Sequence, residues 1–584
     1  MSPRKPIAGY VTFVLHAHLP YVVNHGTWPH GQDWLHEAAA ETYLPLLRVF
    51  GELEARRSPL KCNLNLSPIL LEQLAHPEFK LGFSKYLDEK SRAARKDKLQ
   101  FEQNGQEHFS RLAQFWLDFY QRTQREFEAL DGNLIAGFKR FYDSGSIEII
   151  TCGATHGYFA LLGTDASISA QIAVGVRTHE RHFGRKPRGI WLPECAYRPA
   201  GEWKFPVPVE GTHGSFHRAG VEELVGEHGI RFFFVDTHLV KSNIKFTPYE
   251  LLAGDVPIAL ERESNGNGGA SPYLSYYADT ANRRRTQVAF FTRDARTGIQ
   301  VWSGVHGYPG DPLYLEFHKK HWPGGHRYWQ VTHSQVDLGA KTPYYPNLAS
   351  EQTRVHAQHF AGITRNVLES DAPHQHGAIP VLCAPFDAEL FGHWWFEGPD
   401  WLQNVALAMH APDSGLELVT CSEYLAQQKP AGFVALPEGS WGRNGTHEVW
   451  LNPDTAWTWQ HIYPAELAVL QAMESGRWRS DANARRLANQ LCRELLLLES
   501  SDWQFLITTQ HARDYAEKRF HEHLQDFRAL LDGWRHFEAT GSIPDSAMNR
   551  LAELERMNSI FPDISPEDYC TGAAQRMPLA EVIG

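Results

Sequence analysis

The sequence predicts an α/β fold: a β/α barrel that carries a helical insertion and is followed by an α-helical C-terminal domain. Three observations lead there. Short apolar runs rich in β-branched and aromatic residues recur as far as Thr420, helical patterns separate them, and after about Gln428 the alternation gives way to helix alone. With 584 residues the chain is too long for one core, so two or three packed domains are expected.

The runs are Tyr10–Leu15, Leu60–Leu66, Ile147–Thr151, Arg188–Leu192, Arg231–Val235, Val288–Phe291, Ile379–Ala384 and Leu416–Thr420. They lack clean in/out alternation, the mark of strands buried on both faces of a parallel sheet. Seven or eight such units joined by helices make a barrel. The stretch from Ser67 to Gly145 exceeds what one crossover helix needs; within it Leu134, Phe138 and Phe141 fall on one helical face, and Gly145 is a stop. The barrel is therefore assigned to residues 1–427 with a helical insertion at 67–145, and a helical domain to residues 428–584. In the latter Leu487, Leu491, Leu495 and Leu498 recur at helical spacing, and the polar, Gly- and Trp-rich segment Pro437–Trp459 joins the two parts. Ser264–Gly269 (SNGNGG) reads as a flexible loop.

Composition narrows the function. Lys and Arg total 56 against 68 acidic residues, a net charge of −12, which disfavours nucleic acid and anionic membrane as partners. No apolar stretch approaches the roughly 18–20 residues of a membrane span. The apolar run after Arg4 and Lys5 is broken by His16, too early for a signal peptide. The seven cysteines are scattered and contain no CxxC pair, so free thiols in a reducing cytoplasm are expected. The chain holds 18 Trp, 21 Tyr, 32 Phe and 31 His. Many stand beside Gly, Pro and Asp, and flat aromatic faces among polar groups suit sugar rings.

Polar motifs follow the strands directly: His16-Ala17-His18, Thr155-His156-Gly157-Tyr158, Glu194 after Trp191-Leu192-Pro193, and Asp387 after Pro385-Phe386. In a parallel barrel the C-terminal strand ends open onto one face, so these motifs converge there. Glycosidic cleavage needs an acid for the leaving oxygen and a carboxylate for the anomeric carbon. Glu194 and Asp387, each in an apolar, aromatic string, fit that pair; the alternative for either is a cap or an ion pair, for Glu194 with Arg198. His16, His18 and His156 admit three readings: metal ligation, hydrogen bonding to sugar hydroxyls, or a satisfied structural role.

The strings VLHAHLPYV, ATHGY (154–158), GIWLPECAY (189–197), VWSG (301–304), APFDAELFGHWWFEG (384–398), GSWGRNGTHEVWLN (439–452) and LLLLESSDWQFLITT (495–509) resemble glycoside hydrolase family 57, and within it the 1,4-α-glucan branching enzymes. They occur in the family's order over nearly the whole chain. The resemblance implies a (β/α)7 barrel, a retaining mechanism without metal or cofactor, and a monomer acting on α-glucan in glycogen synthesis. It implies Glu194 as nucleophile and Asp387 as general acid/base. His16, His18 and His156 become hydrogen-bonding residues around the sugar, Trp28, Trp302, Trp441 and Trp450 stacking aromatics, and Asp502 a binding group from the helical domain.

Branching enzymes of this family carry a tyrosine on a mobile lid. The matching region, roughly 255–290, is lengthened here and offers Tyr273, Tyr276 and Tyr277 as candidates. The alternatives to branching are α-amylase or 4-α-glucanotransferase activity on the same carboxylates, and, from another class, a metal-dependent deacetylase built on the three histidines.

Overall fold

The computed structural model describes residues 7–212, 214–241, 270–279, 287–333, 335–370 and 378–570. Among them the strands are β1 (Gly9–Ala17), β2 (Asn63–Leu66), β3 (Glu148–Ile150), β4 (Gly201–Trp203), β5 (Phe216–Arg218), β6 (Phe232–Val235), β7 (Tyr276–Ala278), β8 (Ala289–Thr292), β9 (Val381–Asp387), β10 (Leu416–Leu418) and β11 (Phe433–Val434). All nine residues of β1 are buried, as expected of a strand covered on both faces.

The pairings trace a closed circuit. β1 runs parallel to β2, and β2 to β3. Thr151, just past β3, bridges Ile190, and Gly189 bridges Phe232 of β6. β6 pairs with β8, Arg293 beyond β8 bridges Cys383 of β9, and β9 returns alongside β1 with His16 opposite Asp387. Every step is parallel and the ring has seven staves, in agreement with the (β/α)7 expectation. The Arg188–Leu192 run joins it through isolated bridges at Gly189 and Ile190. The eighth run, β10, pairs with Gly9–Val11 at the start of β1.

Ser67–Gly145 forms the helices Pro68–Ala75, Pro77–Gln103, Glu107–Ala129 and Leu134–Asp143. The two long ones interlock through aromatics, Phe83 meeting Phe127 edge-on with ring centres 4.8 Å apart. The last begins where the Asn133 side chain accepts the Ala136 N–H.

From Ala456 onward the described chain is helical, in the segments Ala456–Glu474, Ala482–Leu498, Asp502–Thr509, Arg513–Thr540 and Asp545–Met557. Leu487, Leu491, Leu495 and Leu498 are all fully buried. No helix of the described residues is long and apolar enough to cross a membrane. The seven cysteines are free thiols, and six of them are buried.

Candidate active site

The C-terminal ends of β1, β2, β3 and β9 bring the polar motifs together. His16 ends up opposite Asp387 across the β1–β9 pairing. The His16 and His156 rings are stacked 5.0 Å apart, and His18 lies on His156 at 4.0 Å. Burial, together with the neighbouring His18, holds His16 and His156 well below the usual imidazole range, so both rings are neutral.

Their hydrogen bonds fix the tautomers. The Asn65 carbonyl, 2.7 Å from His16 Nδ1, accepts its proton. His16 Nε2 is then an acceptor for His156 Nε2–H at 3.1 Å, and His156 Nδ1 accepts from the Ser501 hydroxyl at 2.8 Å. His18 is held by Ser67 Oγ at 3.0 Å through Nδ1 and by both oxygens of Asp502, at 3.0 and 3.1 Å, through Nε2. Ser501 and Asp502 lie at the start of the helix Asp502–Thr509, so the helical region completes the histidine cluster.

Glu194 sits in the tight turn Pro193–Cys195 with φ 61 and ψ 25. His156 and Cys195 share this left-handed conformation, at φ 61 and 49. Strained non-glycine residues concentrate at functional sites, where surrounding contacts hold them. Here the Trp441 indole N–H donates to Glu194 Oε2 at 2.7 Å, and the Trp441 amide donates to the Glu194 carbonyl at 3.1 Å. Arg198, a possible partner for Glu194, instead donates to the carbonyls of Pro199 and Ala219.

Both carboxylates keep partial exposure, 14% for the Glu194 side chain. Burial pushes the Glu194 carboxyl up to about 8; Trp441 opposes that shift, Asp387 and Asp502 add to it, and His18 opposes it. Asp387 is thus among the charges that reach Glu194. For Asp387, burial and then Glu389 push upward together. Trp441 and His18 favour the ionised form of Glu194, and burial outweighs them. Glu389 accepts from Tyr43 Oη at 2.5 Å and from the His18 amide at 3.2 Å.

The expected stacking tryptophans divide. Trp28 is 68% exposed and meets the exposed Trp322 edge-on at 6.4 Å. Trp441 lines the Glu194 turn, and Trp302 lies against Phe386 and Trp441. Trp302 and Trp450, at 3% and 1% exposure, present no open ring face. This corrects the stacking expectation for both, because aromatic and backbone packing covers them. Trp450 lies 4.5 Å from the Tyr158 ring, and the Gly442 backbone passes so close that an added Cβ would stand 2.5 Å from Trp450.

None of the lid candidates is at a loop tip. Tyr273 is buried and donates to Asp294 at 3.0 Å, Tyr276 and Tyr277 belong to β7, and Tyr277 packs on Phe433. Ser264–Gly269 lies outside the described residues.

The sequence reading missed Tyr43, Asn65, Ser67, Glu389 and Ser501. Asn65 and Ser67 close the NLNLS string at the end of β2, and Glu389 stands two residues after Asp387, so position alone could have flagged these three. Tyr43 carries no such signal.

The glycosyl hydrolase family 57 model matches residues 12–437. The chain belongs to glycosyl hydrolase family 57. A model described as the C-terminal part of 1,4-alpha-glucan branching enzymes matches residues 461–569. A 1,4-alpha-glucan branching enzyme of Thermococcus kodakarensis is 40% identical over 562 residues, 96% of this chain and 78% of that protein. The crystal structure of the family 57 branching enzyme from Pyrococcus horikoshii matches with a TM-score of 0.85 at 39% identity, covering 96% of this chain and 97% of that one. The crystal structure of the α-amylase AmyC from Thermotoga maritima matches with a TM-score of 0.77 at 28% identity, covering 97% of this chain and 99% of that one.

Proposed function

We propose that this protein is a 1,4-α-glucan branching enzyme that cleaves an α-1,4 bond and rejoins the severed chain through an α-1,6 bond. The reading is carried by the 40% identity of this chain to a branching enzyme over 96% of its length, with Asp387 among the charges that act on Glu194. Asp387 protonates the leaving oxygen as Glu194 attacks the anomeric carbon. The bond to the leaving glucan breaks, its electron pair stays on that oxygen, and a covalent glycosyl-enzyme forms. Asp387, now ionised, takes the proton from an acceptor 6-hydroxyl, which attacks and releases Glu194. His16, His18, His156 and Asp502 line the sugar site as a hydrogen-bonded cluster, and Trp28 and Trp441 bound the cleft.

Transfer outcompetes water because a held hydroxyl reacts at an effective molarity on the order of 10⁵ M or more. The domain division 1–427, with its insertion at 67–145, and 428–584 goes with this reading, supported by the separate spans of the two family models. So do glycogen synthesis, action as a monomer, and a cytoplasmic location, the last supported by the free thiols.

Hydrolysis is the second reading, favoured by the likeness to AmyC. Pure protein incubated with amylose separates the two: α-1,6 linkages should accumulate faster than reducing ends. Abundant reducing ends without branches would refute the branching assignment. Activity that survives thorough chelation would dispose of the deacetylase alternative.

A further inference from the structure

Trp322, Phe317 and Trp394 stand outside the machinery described above, in the segment 303–345 and the turn after Asp387. Trp322 is 61% exposed and Trp394 is 50% exposed. Free indoles of this size are costly to leave in water unless something covers them. Trp394 does not lie loosely; it is stacked on Phe317 with ring centres 4.7 Å apart and planes 26° from parallel. Trp322 has Trp28 beside it.

A small recess beside Phe317 reaches Lys90, Lys320, His326 and His393 and is floored by Trp116, Tyr120 and the Glu41–Arg327 ion pair. Lys90 is anchored by donating to the Gly324 carbonyl at 3.1 Å, two residues from Trp322. His326 is buried and donates from Nδ1 to Asp97 at 3.0 Å, while its Nε2 has no partner among the described residues. The recess is also tied to the catalytic turn. The His393 amide donates to Thr42 Oγ1 at 3.2 Å, next to the Tyr43 that holds Glu389, and the Trp394 amide donates to the Glu389 carbonyl at 3.1 Å.

Exposed, paired ring faces near fixed polar groups match a sugar chain, which presents both C–H faces and hydroxyl rims. We propose that Trp28–Trp322, the recess and Trp394–Phe317 form one extended glucan-binding surface leading to Asp387, with Trp322 and Trp394 as its outer stacking residues. It rests on the glucan-active reading above, and its occupant is an α-1,4-glucan chain longer than the segment held at the carboxylates.

The test is binding without turnover. Soluble amylose affinity is measured by affinity electrophoresis on the Glu194→Gln protein and on the same protein carrying Trp322→Ala, Trp394→Ala or both. Each single change should weaken binding roughly five- to tenfold and the double change more, with Trp394→Phe retaining most of the affinity. Affinity unchanged in the double variant would overturn the inference alone, whereas an absence of glucan binding by the starting protein would defeat the underlying functional reading. If the double change alters the sedimentation coefficient and leaves amylose affinity intact, the surface is a contact between copies of the chain and the proposal fails. Both side chains are largely exposed, and matching thermal melts confirm that the variants are folded.

Discussion

At the scale of single residues, the Glu194 carboxyl is caught between burial and the Trp441 indole. Its folded form ionises near 8 against a usual 4.5. Between those values the folded chain holds a proton that the unfolded chain has already released, so stability falls as pH rises through the window. Glu194→Gln should therefore melt above the parent by a margin that widens from pH 5 to 8, on the order of 1–3 kcal/mol at the upper end. Calorimetry across that range would show a constant or absent gap if the side chain were ordinarily solvated. The same variant should lose turnover while still binding amylose. Trp441→Phe removes the one indole donor to Glu194 Oε2. A hydrogen bond to a charged group contributes about 1.5–3 kcal/mol, so kcat/KM at neutral pH should drop roughly 10- to 100-fold. The acid limb of its pH profile should move upward, and an unmoved limb would show that Trp441 acts through packing alone.

Among the secondary-structure elements, the strands were the most legible part. Runs such as Phe232–Val235 and Val381–Asp387 announce themselves because a stave covered on both faces needs uninterrupted apolar residues. Glu194 and Asp387 were legible for the same reason, standing where such runs end. The stacking role of Trp450 came with the family resemblance and not from its own surroundings, where Tyr158 and the passing Gly442 backbone seal it. The lid candidates also came with the resemblance: Tyr276 and Tyr277 lie in β7, which is paired with β8 and β11. The His18–Asp502 contact joins residues 484 positions apart, a distance no local pattern spans. Its worth can be measured. Asp502→Ala leaves His18 Nε2 without its carboxylate, and kcat/KM should fall roughly tenfold while the melting temperature stays within a few degrees. Unaltered kinetics would make Asp502 a structural residue only.

For the molecule as a whole, six of the seven thiols are sealed in the interior and Cys570 alone is half-buried. A thiol reagent should titrate a single fast cysteine in the native protein and all seven after denaturation; several fast thiols would mean that the core opens readily. The placement of Ser501 and Asp502 carries a different implication, one about time. A chain emerging from the ribosome has exposed both of its carboxylates once Asp387 is out, yet the partners that orient His156 and His18 are still more than a hundred residues from release. Until those partners arrive the nascent protein lacks two of the groups that orient His156 and His18, so the maker of branches should reach full turnover only once its last helices are released.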